Sequence, residues 1–376
     1  MEETRVDEKR ESPFYVRTSL AAAMTMAMVP GRFFRDAKLY CINLLLTYDE
    51  GCVGRCAYCG LSRSRETDEL WNAKSFIRVE WPVVALDEVI SRIGTGVCSH
   101  VERICLSMIT NRRACRDALT VVSRLHQEVD LISALITPTV IDKEWLYELK
   151  EAGADMVGVA IDAATPELFE DLRGRGVKGP HTWDRYWRTV QEVVEVFGKN
   201  RVGVHLIVGL GETEEEMVRA IQRAYDMGAQ THLFSFFPEE KSPLENHPQP
   251  PIGRYRRVQL ARYLVNYCIA SAEKMRFDEK GRIRNFGIDE GKLNRIVDSG
   301  LPFMTSGCPG KTMENACNRP FANCTPYQAY TGELRNYPFP PSEGDVKIIR
   351  KQLYDYSNRS NSPKDIANLV CEDIVE

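Results

Sequence analysis

Three cysteines at CxxxCxxC spacing constrain this chain more than any other feature: Cys52, Cys56 and Cys59, in the run Gly51-Cys52-Val53-Gly54-Arg55-Cys56-Ala57-Tyr58-Cys59-Gly60. They follow an apolar, strand-like stretch, so three thiolates share one short loop. Structural zinc closes a tetrahedron of four ligands, usually from paired CxxC or CxxH elements, and no such pair lies nearby in the sequence. Three thiolates can instead ligate three irons of a cubane cluster and leave the fourth iron to a ligand that is not protein. Zinc is the bland alternative; an open iron corner is where chemistry can happen.

The rest of the composition bounds the setting. The 376 residues are 43 % hydrophobic with a net charge of -4, enough apolar content for one large core or two domains of a soluble globule. No broad basic field is present to hold nucleic acid or an anionic membrane, so a small-molecule or protein substrate is expected. The apolar run 20–29 is too short to span a bilayer and stops at Pro30-Gly31, which reads as a short packed helix and not as an export signal. Twelve cysteines without an export signal point to a reducing, cytoplasmic setting in which thiolates bind metal, and not to a disulfide framework.

Apolar runs of strand length recur at 39–46, 101–108, 131–137, 156–161, 202–208 and 231–237, with helical patterns between them. Thr213 to Glu216 has capping-box spacing, Thr165-Pro166 opens another helix, and Gly198 and Gly228 close two. Six β-α units imply a parallel sheet and an open or partial (β/α)6 barrel whose active site lies at the C-terminal ends of the strands, where the cysteine loop sits. The expected division is an N-terminal extension (1–36), the barrel (37–245), a helix and hairpin connection (246–300), an irregular segment with Cys308, Cys317 and Cys324 (301–345), and a helical tail (346–376). The connecting helix is expected over 254–275 and the hairpin over 277–283.

Side chains alternate across a strand, so polar residues in apolar strands mark the face lining the cavity. By that parity Cys41 and Asn43, then Arg103, Cys105 and Ser107, then Gly158, Ala160 and Asp162, then Gly203, His205 and Ile207 point inward. Asn43, Arg103 and His205 are the candidate substrate-cavity residues, with a satisfied barrel histidine as the plainer reading of His205. Cys41 and Cys105 are either cavity ligands or small buried hydrophobes. The helix with Trp183, Tyr186, Trp187 and Val190 reads as core packing.

The triad, with Tyr58 just before its last cysteine and after the first strand of a β-α barrel, resembles the radical S-adenosylmethionine (SAM) superfamily. The resemblance implies that Cys52, Cys56 and Cys59 hold a catalytic 4Fe-4S cluster whose free iron is chelated by SAM, and that one-electron cleavage of the sulfonium gives a 5'-deoxyadenosyl radical. Such an electron needs a cluster at the low end of the range of iron–sulfur potentials. Ile207-Val208-Gly209-Leu210-Gly211-Glu212 looks like that family's adenine-binding motif, with a plain strand-to-helix turn as its alternative. Asp162 corresponds to a ribose-binding position. The implied SAM-binding residues are therefore Tyr58, Ser107, Asp162, Ile207, Gly209 and Glu212. The glycine-glycine-glutamate motif usual after the second strand is replaced by Ser107-Met108-Ile109-Thr110.

The barrel looks most like biotin synthase, yet of that enzyme's three strand cysteines for its sulfur-donating cluster only Cys105 matches, and Gly203 stands at the fifth-strand position. The C-terminal run with Cys308-Pro309-Gly310, Cys317-Asn318-Arg319 and Asn336-Tyr337-Pro338 resembles the two-protein type of lipoyl synthase. That likeness implies sulfur insertion into an octanoyl or mercapto-octanoyl chain on a lysine of a lipoyl-domain carrier protein, with an auxiliary 4Fe-4S cluster as sulfur source. Its expected ligands are Cys308, Cys317 and Cys324, then Cys41 and Cys105; a zinc knot or scattered thiols is the alternative. Cys98, Cys115, Cys268 and Cys371 read as structural. Expected partners are the carrier or an octanoyl-lysyl peptide, a related radical SAM protein, and an electron donor such as ferredoxin or flavodoxin. Two competing readings are a radical SAM peptide- or cofactor-modifying enzyme and a non-catalytic iron–sulfur carrier.

Overall fold

The computed structural model describes residues 9–357 apart from 66–74, 77–78, 320–323, 325 and 332. Cys371 and most of the expected tail lie outside them. The strand-length runs become β2 (Cys41–Leu46), β6 (Arg103–Ser107), β7 (Ile132–Ile136), β8 (Met156–Asp162), β9 (Val202–Val208) and β10 (Gln230–Ser235), all parallel and paired in sequence order. The crossovers carry helices α3 (Ala114–His126), α4 (Lys143–Glu151), α6 (Trp183–Phe197) and α7 (Glu214–Asp226). The result is the expected α/β fold, a partial (β/α)6 barrel.

The eight-stranded sheet has two further strands: β1 (Tyr15–Thr18) and β5 (Val83–Ala85) extend β2 in antiparallel fashion, in the order β10-β9-β8-β7-β6-β2-β1-β5. β1 lies within the segment read as an N-terminal extension, followed by the short helix α1 (Leu20–Thr25). Between β2 and β5 stands the two-residue hairpin of β3 (Ser75–Phe76) and β4 (Val79–Glu80), and helix α2 (Leu86–Ile93) follows β5.

Local chemistry explains the helix boundaries. Thr213 caps α7 with a full capping box, Thr165 caps the short α5 (Pro166–Leu172), and Gly198 ends α6 with φ 94°. Helix α8 runs Ile252–Asn266, shorter than its apolar pattern suggests. Cys268 turns to φ 55°, a left-handed conformation that a helix cannot contain. The hairpin of β11 (Arg276–Phe277) and β12 (Ile283–Asn285) forms where expected and is followed by α9 (Glu290–Asp298), the short α10 (Pro326–Tyr330) and α11 (Glu343–Leu353).

Burial follows strand parity. Ile42, Leu44, Ile104, Leu106, Val157, Val159, Val204 and Leu206 belong to one large core between sheet and helices, which also takes in Tyr186, Trp187 and Val190. Two smaller clusters, built mostly from loop and segment residues, lie at the two ends of the barrel bore. Cys56, Tyr58, Leu210 and Phe236 gather at the C-terminal end of the strands, and Cys41, Met156, Cys308 and Cys317 at the N-terminal end. Between them Asn43, Ser107, Ala160, His205, Ile207 and Phe234 stay partly accessible in an otherwise buried sheet. The inward face of the sheet is therefore less completely covered than the helix-facing one.

A buried ion pair locks the connecting helix to the barrel. Glu214, at the start of α7, meets Arg257 of α8 at 2.7 Å with both side chains under 4 % exposed, and also accepts from the Ile283 amide at 2.8 Å. Removing one partner strands the other charge. Glu214→Ala is expected to lower the unfolding free energy by about 3–5 kcal/mol, seen as a lower denaturant midpoint at unchanged slope; a loss under about 1 kcal/mol would show that the pair is not needed to hold α8.

Candidate active site

At the C-terminal end of the strands the cysteine loop is pinned on three sides. The Val53 amide donates to the Thr110 carbonyl at 2.8 Å, the Ala57 amide to Leu172 at 2.7 Å, and the Leu244 amide to Ala57 at 3.1 Å. Two backbone amides point at sulfur: Gly54 to Cys52 Sγ at 3.3 Å and Leu61 to Cys59 Sγ at 3.4 Å. Burial pushes the Cys56 thiol up to about 11 and Cys59 well above its ordinary range, and the neighbouring cysteines add to both. Such thiols give up their protons when a cationic metal group shares them. Amide donors aimed at sulfur and three thiols on one loop suit an iron–sulfur group. Among the described residues no three His, Cys, Asp or Glu side chains are gathered for a single metal ion.

Tyr58 and Asp162 meet directly. The Tyr58 hydroxyl donates to Asp162 Oδ2 at 2.7 Å, and Arg173 Nη1 donates to the same oxygen at 2.8 Å. Asp162 ends β8 at φ 65°, which turns its carboxylate back toward the cysteine loop. Arg173 also reaches the Tyr186 hydroxyl at 3.0 Å, and Tyr186 meets His181 Nδ1 at 3.0 Å. Burial, then the Arg173 charge, holds His181 down to about 3, so the ring is neutral. Its Nε2 would lie 3.0 Å from a Cβ at Gly54. This buried chain backs the cysteine loop with the Arg173 guanidinium, whose charge favours the Cys56 thiolate.

The turn after β9 shows why its glycines stand where they do. Gly209 has φ 107°, and a Cβ there would run into Pro250 at 2.6 Å. Glu212 folds back on this turn: its carboxylate accepts from the Gly209 and Leu210 amides at 2.8 and 2.9 Å and pairs with Arg254 at 2.8 Å. Its carboxylate thus holds the turn itself, while Ile207 and Ser107 face the bore.

At the other end of the bore four thiols converge. Cys41 and Cys105, from adjacent strands, meet Cys308 and Cys317 from the irregular segment, beside Met156. Asn43 Nδ2 lies 3.9 Å from Cys41 Sγ and 3.8 Å from Cys317 Sγ. Hydrogen bonds from Cys105 and Cys41 hold Cys317 well below the usual thiol range. Burial drives Cys41 well above that range and Cys308 up to about 11. Cys324 does not join them: it packs in the main core, its thiol beside Arg335.

The segment folds tightly at two glycines, one against its own backbone and one against the Glu102 side chain. A Cβ at Gly307 would lie 2.3 Å from the Cys317 carbonyl oxygen and one at Gly310 would strike Glu102. Arg103, expected in the substrate cavity, is instead 1 % exposed, paired with both oxygens of Asp155 at 2.6 and 2.8 Å and donating to the Pro309 carbonyl at 2.6 Å. It fastens the Cys308 loop to the sheet. Asn318 does the same from the other side, donating to the Lys38 carbonyl at 2.7 Å and accepting from the Tyr40 amide at 3.3 Å.

His205 faces the bore as parity requires, 5.1 Å from the Phe234 ring and 5.6 Å from His232. Arg173, Arg254, His232 and Arg319 were not singled out from the sequence. Only His232 had a signal there, since it shares strand parity with Phe234 across from His205. Cys98 and Cys115 lie away from both thiol groups, and Cys268 is exposed.

Residues 48–224 match the family described as the Radical SAM superfamily. No curated protein matches the chain in sequence. Solved structures similar to it include the FeFe-hydrogenase maturase HydG from Carboxydothermus hydrogenoformans, at 14 % identity and TM-score 0.47 over 93 % of this chain and 85 % of that one. Another is the radical S-adenosylmethionine methyltransferase TsrM from Kitasatospora setae with cobalamin and a [4Fe-4S] cluster bound, at 18 % identity and TM-score 0.38 over 56 % and 39 %.

The Arg173–Asp162 contact, with side chains 6 % and 14 % exposed, yields a test. Arg173→Met is expected to cost about 3–5 kcal/mol of stability by leaving a carboxylate buried without its cation. Asp162→Asn in the same chain should recover part of the loss, with a coupling of about 1 kcal/mol or more in the double-mutant cycle. Additive effects would show that the two groups act apart.

Proposed function

From a chain that carries a radical SAM superfamily domain at residues 48–224, we propose a sulfur-insertion enzyme of the lipoyl synthase kind. It acts on an octanoyl or mercapto-octanoyl chain carried on a protein lysine, with a second iron–sulfur cluster as the sulfur source. The observation that carries this reading is the convergence of Cys41, Cys105, Cys308 and Cys317 on the bore end opposite the triad. At about 3.3 Å per residue, the six residues of β2 hold the two ends roughly 16 Å apart, a spacing in which an extended acyl chain fits between them.

Cys52, Cys56 and Cys59 would hold the SAM-bearing cluster, which, when bound, supplies a radical strong enough to take hydrogen from an unactivated carbon. The protein's share is confinement. Ile207 and Phe234 give the bore an apolar wall for the acyl chain, Asn43 and Ser107 a few polar contacts, and the C-terminal segment closes the floor against water. No side chain is required as a general base. The auxiliary ligands proposed are the four converging cysteines, without Cys324. The carrier protein, a related radical SAM protein and a ferredoxin- or flavodoxin-type donor remain the partners this reading calls for.

One observation favours a second reading. Four thiolates complete a cubane's coordination and leave no iron open, which suits an electron relay in a peptide- or cofactor-modifying enzyme. Sulfide consumption separates the two: loss of acid-labile sulfide in step with turnover supports insertion, and full retention supports relay.

Reconstituted protein is expected to bind two cubanes' worth, about eight irons, to fall by half in the Cys41, Cys105, Cys308, Cys317 quadruple serine variant, and to keep its iron in Cys324→Ser. Reductive SAM cleavage should vanish in Cys52→Ala and survive in the quadruple variant. Mass analysis of octanoyl-lysyl and mercapto-octanoyl-lysyl peptides, with SAM, reductant and a candidate partner, should show a gain of one sulfur. No gain on either peptide, with SAM cleaved normally, would refute the substrate.

A further inference from the structure

One ring in the bore has no partner for either of its polar atoms. His232, on β10, is 5 % exposed, and neither Nδ1 nor Nε2 meets a hydrogen-bonding group of the protein. A neutral imidazole carries one N–H and one lone pair. Buried polar groups are almost always satisfied, so an orphaned imidazole points to a partner outside the protein.

The fold keeps space for this ring. A Cβ at Gly203 on the neighbouring strand would come within 2.6 Å of His232 Cδ2 and 2.7 Å of Nε2. Only glycine leaves the ring where it is. His205 stands edge-to-face against it at 5.6 Å, and the charges that act on it are those of Arg319, Cys317 and Arg262. Arg319 lies over the Phe234 ring at 4.0 Å and donates to the Ser306 carbonyl at 3.1 Å, with its Nε likewise unpartnered. The ring therefore belongs to the four-thiol end of the bore.

We infer that His232 donates a hydrogen bond to a sulfur of the iron–sulfur cluster held by Cys41, Cys105, Cys308 and Cys317, and thereby sets that cluster's potential. This rests on the second-cluster reading above. A donor to cluster sulfur stabilises the more negative, reduced state and raises the potential. His232 is a positioning and tuning residue, with no role in SAM cleavage.

The test is a redox titration of full-length, anaerobically reconstituted protein, followed by electron paramagnetic resonance with both clusters observed, and iron counted in every sample. His232→Phe is expected to shift the second cluster to a more negative potential by a tenfold change in its equilibrium, 59 mV for one electron, with the triad cluster unmoved. His232→Gln, which keeps an N–H donor, should recover at least half of the shift. Gly203→Ala, which displaces the ring without altering it, should move the potential in the same direction. If His232→Phe loses iron, Gly203→Ala and His232→Gln decide the matter. An unchanged second-cluster potential at full iron content overturns the inference alone. Wild-type protein with only one cubane's worth of iron overturns the second-cluster reading, and the inference with it.

Discussion

Buried sulfur must be compensated, and most of what is distinctive in this molecule follows from that. Cys56 and Cys59 lie at one end of the bore and Cys41, Cys105, Cys308 and Cys317 at the other, where burial makes an unshared negative charge cost several kcal/mol. The protein supplies only part of the compensation. At one end stand two amide donors and the Arg173 guanidinium, and at the other the hydrogen bonds from Cys41 and Cys105 to Cys317 and the nearby Arg319. In the proposed function, metal-bearing groups at both ends supply the rest.

The sheet makes this possible by dividing its two faces. One face of every barrel strand packs into the helices as a continuous aliphatic core, which is where stability resides. The other is thereby freed to carry groups a core does not tolerate: Asn43, Asp162, His205, His232 and the two strand cysteines Cys41 and Cys105. A parallel sheet with short inward side chains such as Gly158, Ala160 and Gly203 leaves room between them. Closure of the floor then falls to the C-terminal segment, which has little helix of its own and is held by Arg103, Asn318 and the Glu102 carboxylate, which accepts from the Thr312 and Met313 amides.

Residues that read as ligand contacts in the sequence often serve to position others. Arg103 shares strand parity with Cys105 but sits at the first residue of β6, where the bore is already closed, so its charge is spent on Asp155 and the Pro309 carbonyl. Glu212 has motif spacing, yet its carboxylate caps the turn it follows. In both cases spacing fixes the neighbourhood of a side chain, and the partner it meets there comes from a distant segment.

The cysteine loop, the six β-α units, the inward faces of the strands and the helix caps were legible in the sequence, because each depends on residues close together in the chain: thiol spacing, alternation at period two, and one-turn capping geometry. The added strand β1 was not, since four residues in a charged stretch acquire strand character only by pairing with β2 and β5. Which cysteines share the second site was decided by the tertiary structure. Cys308 and Cys317 approach Cys41 and Cys105 across more than two hundred residues, while Cys324, only seven positions past Cys317, is drawn into the main core. Spacing along a chain limits local geometry. Which thiols meet across it depends on where the packed sheet lets a returning segment lie.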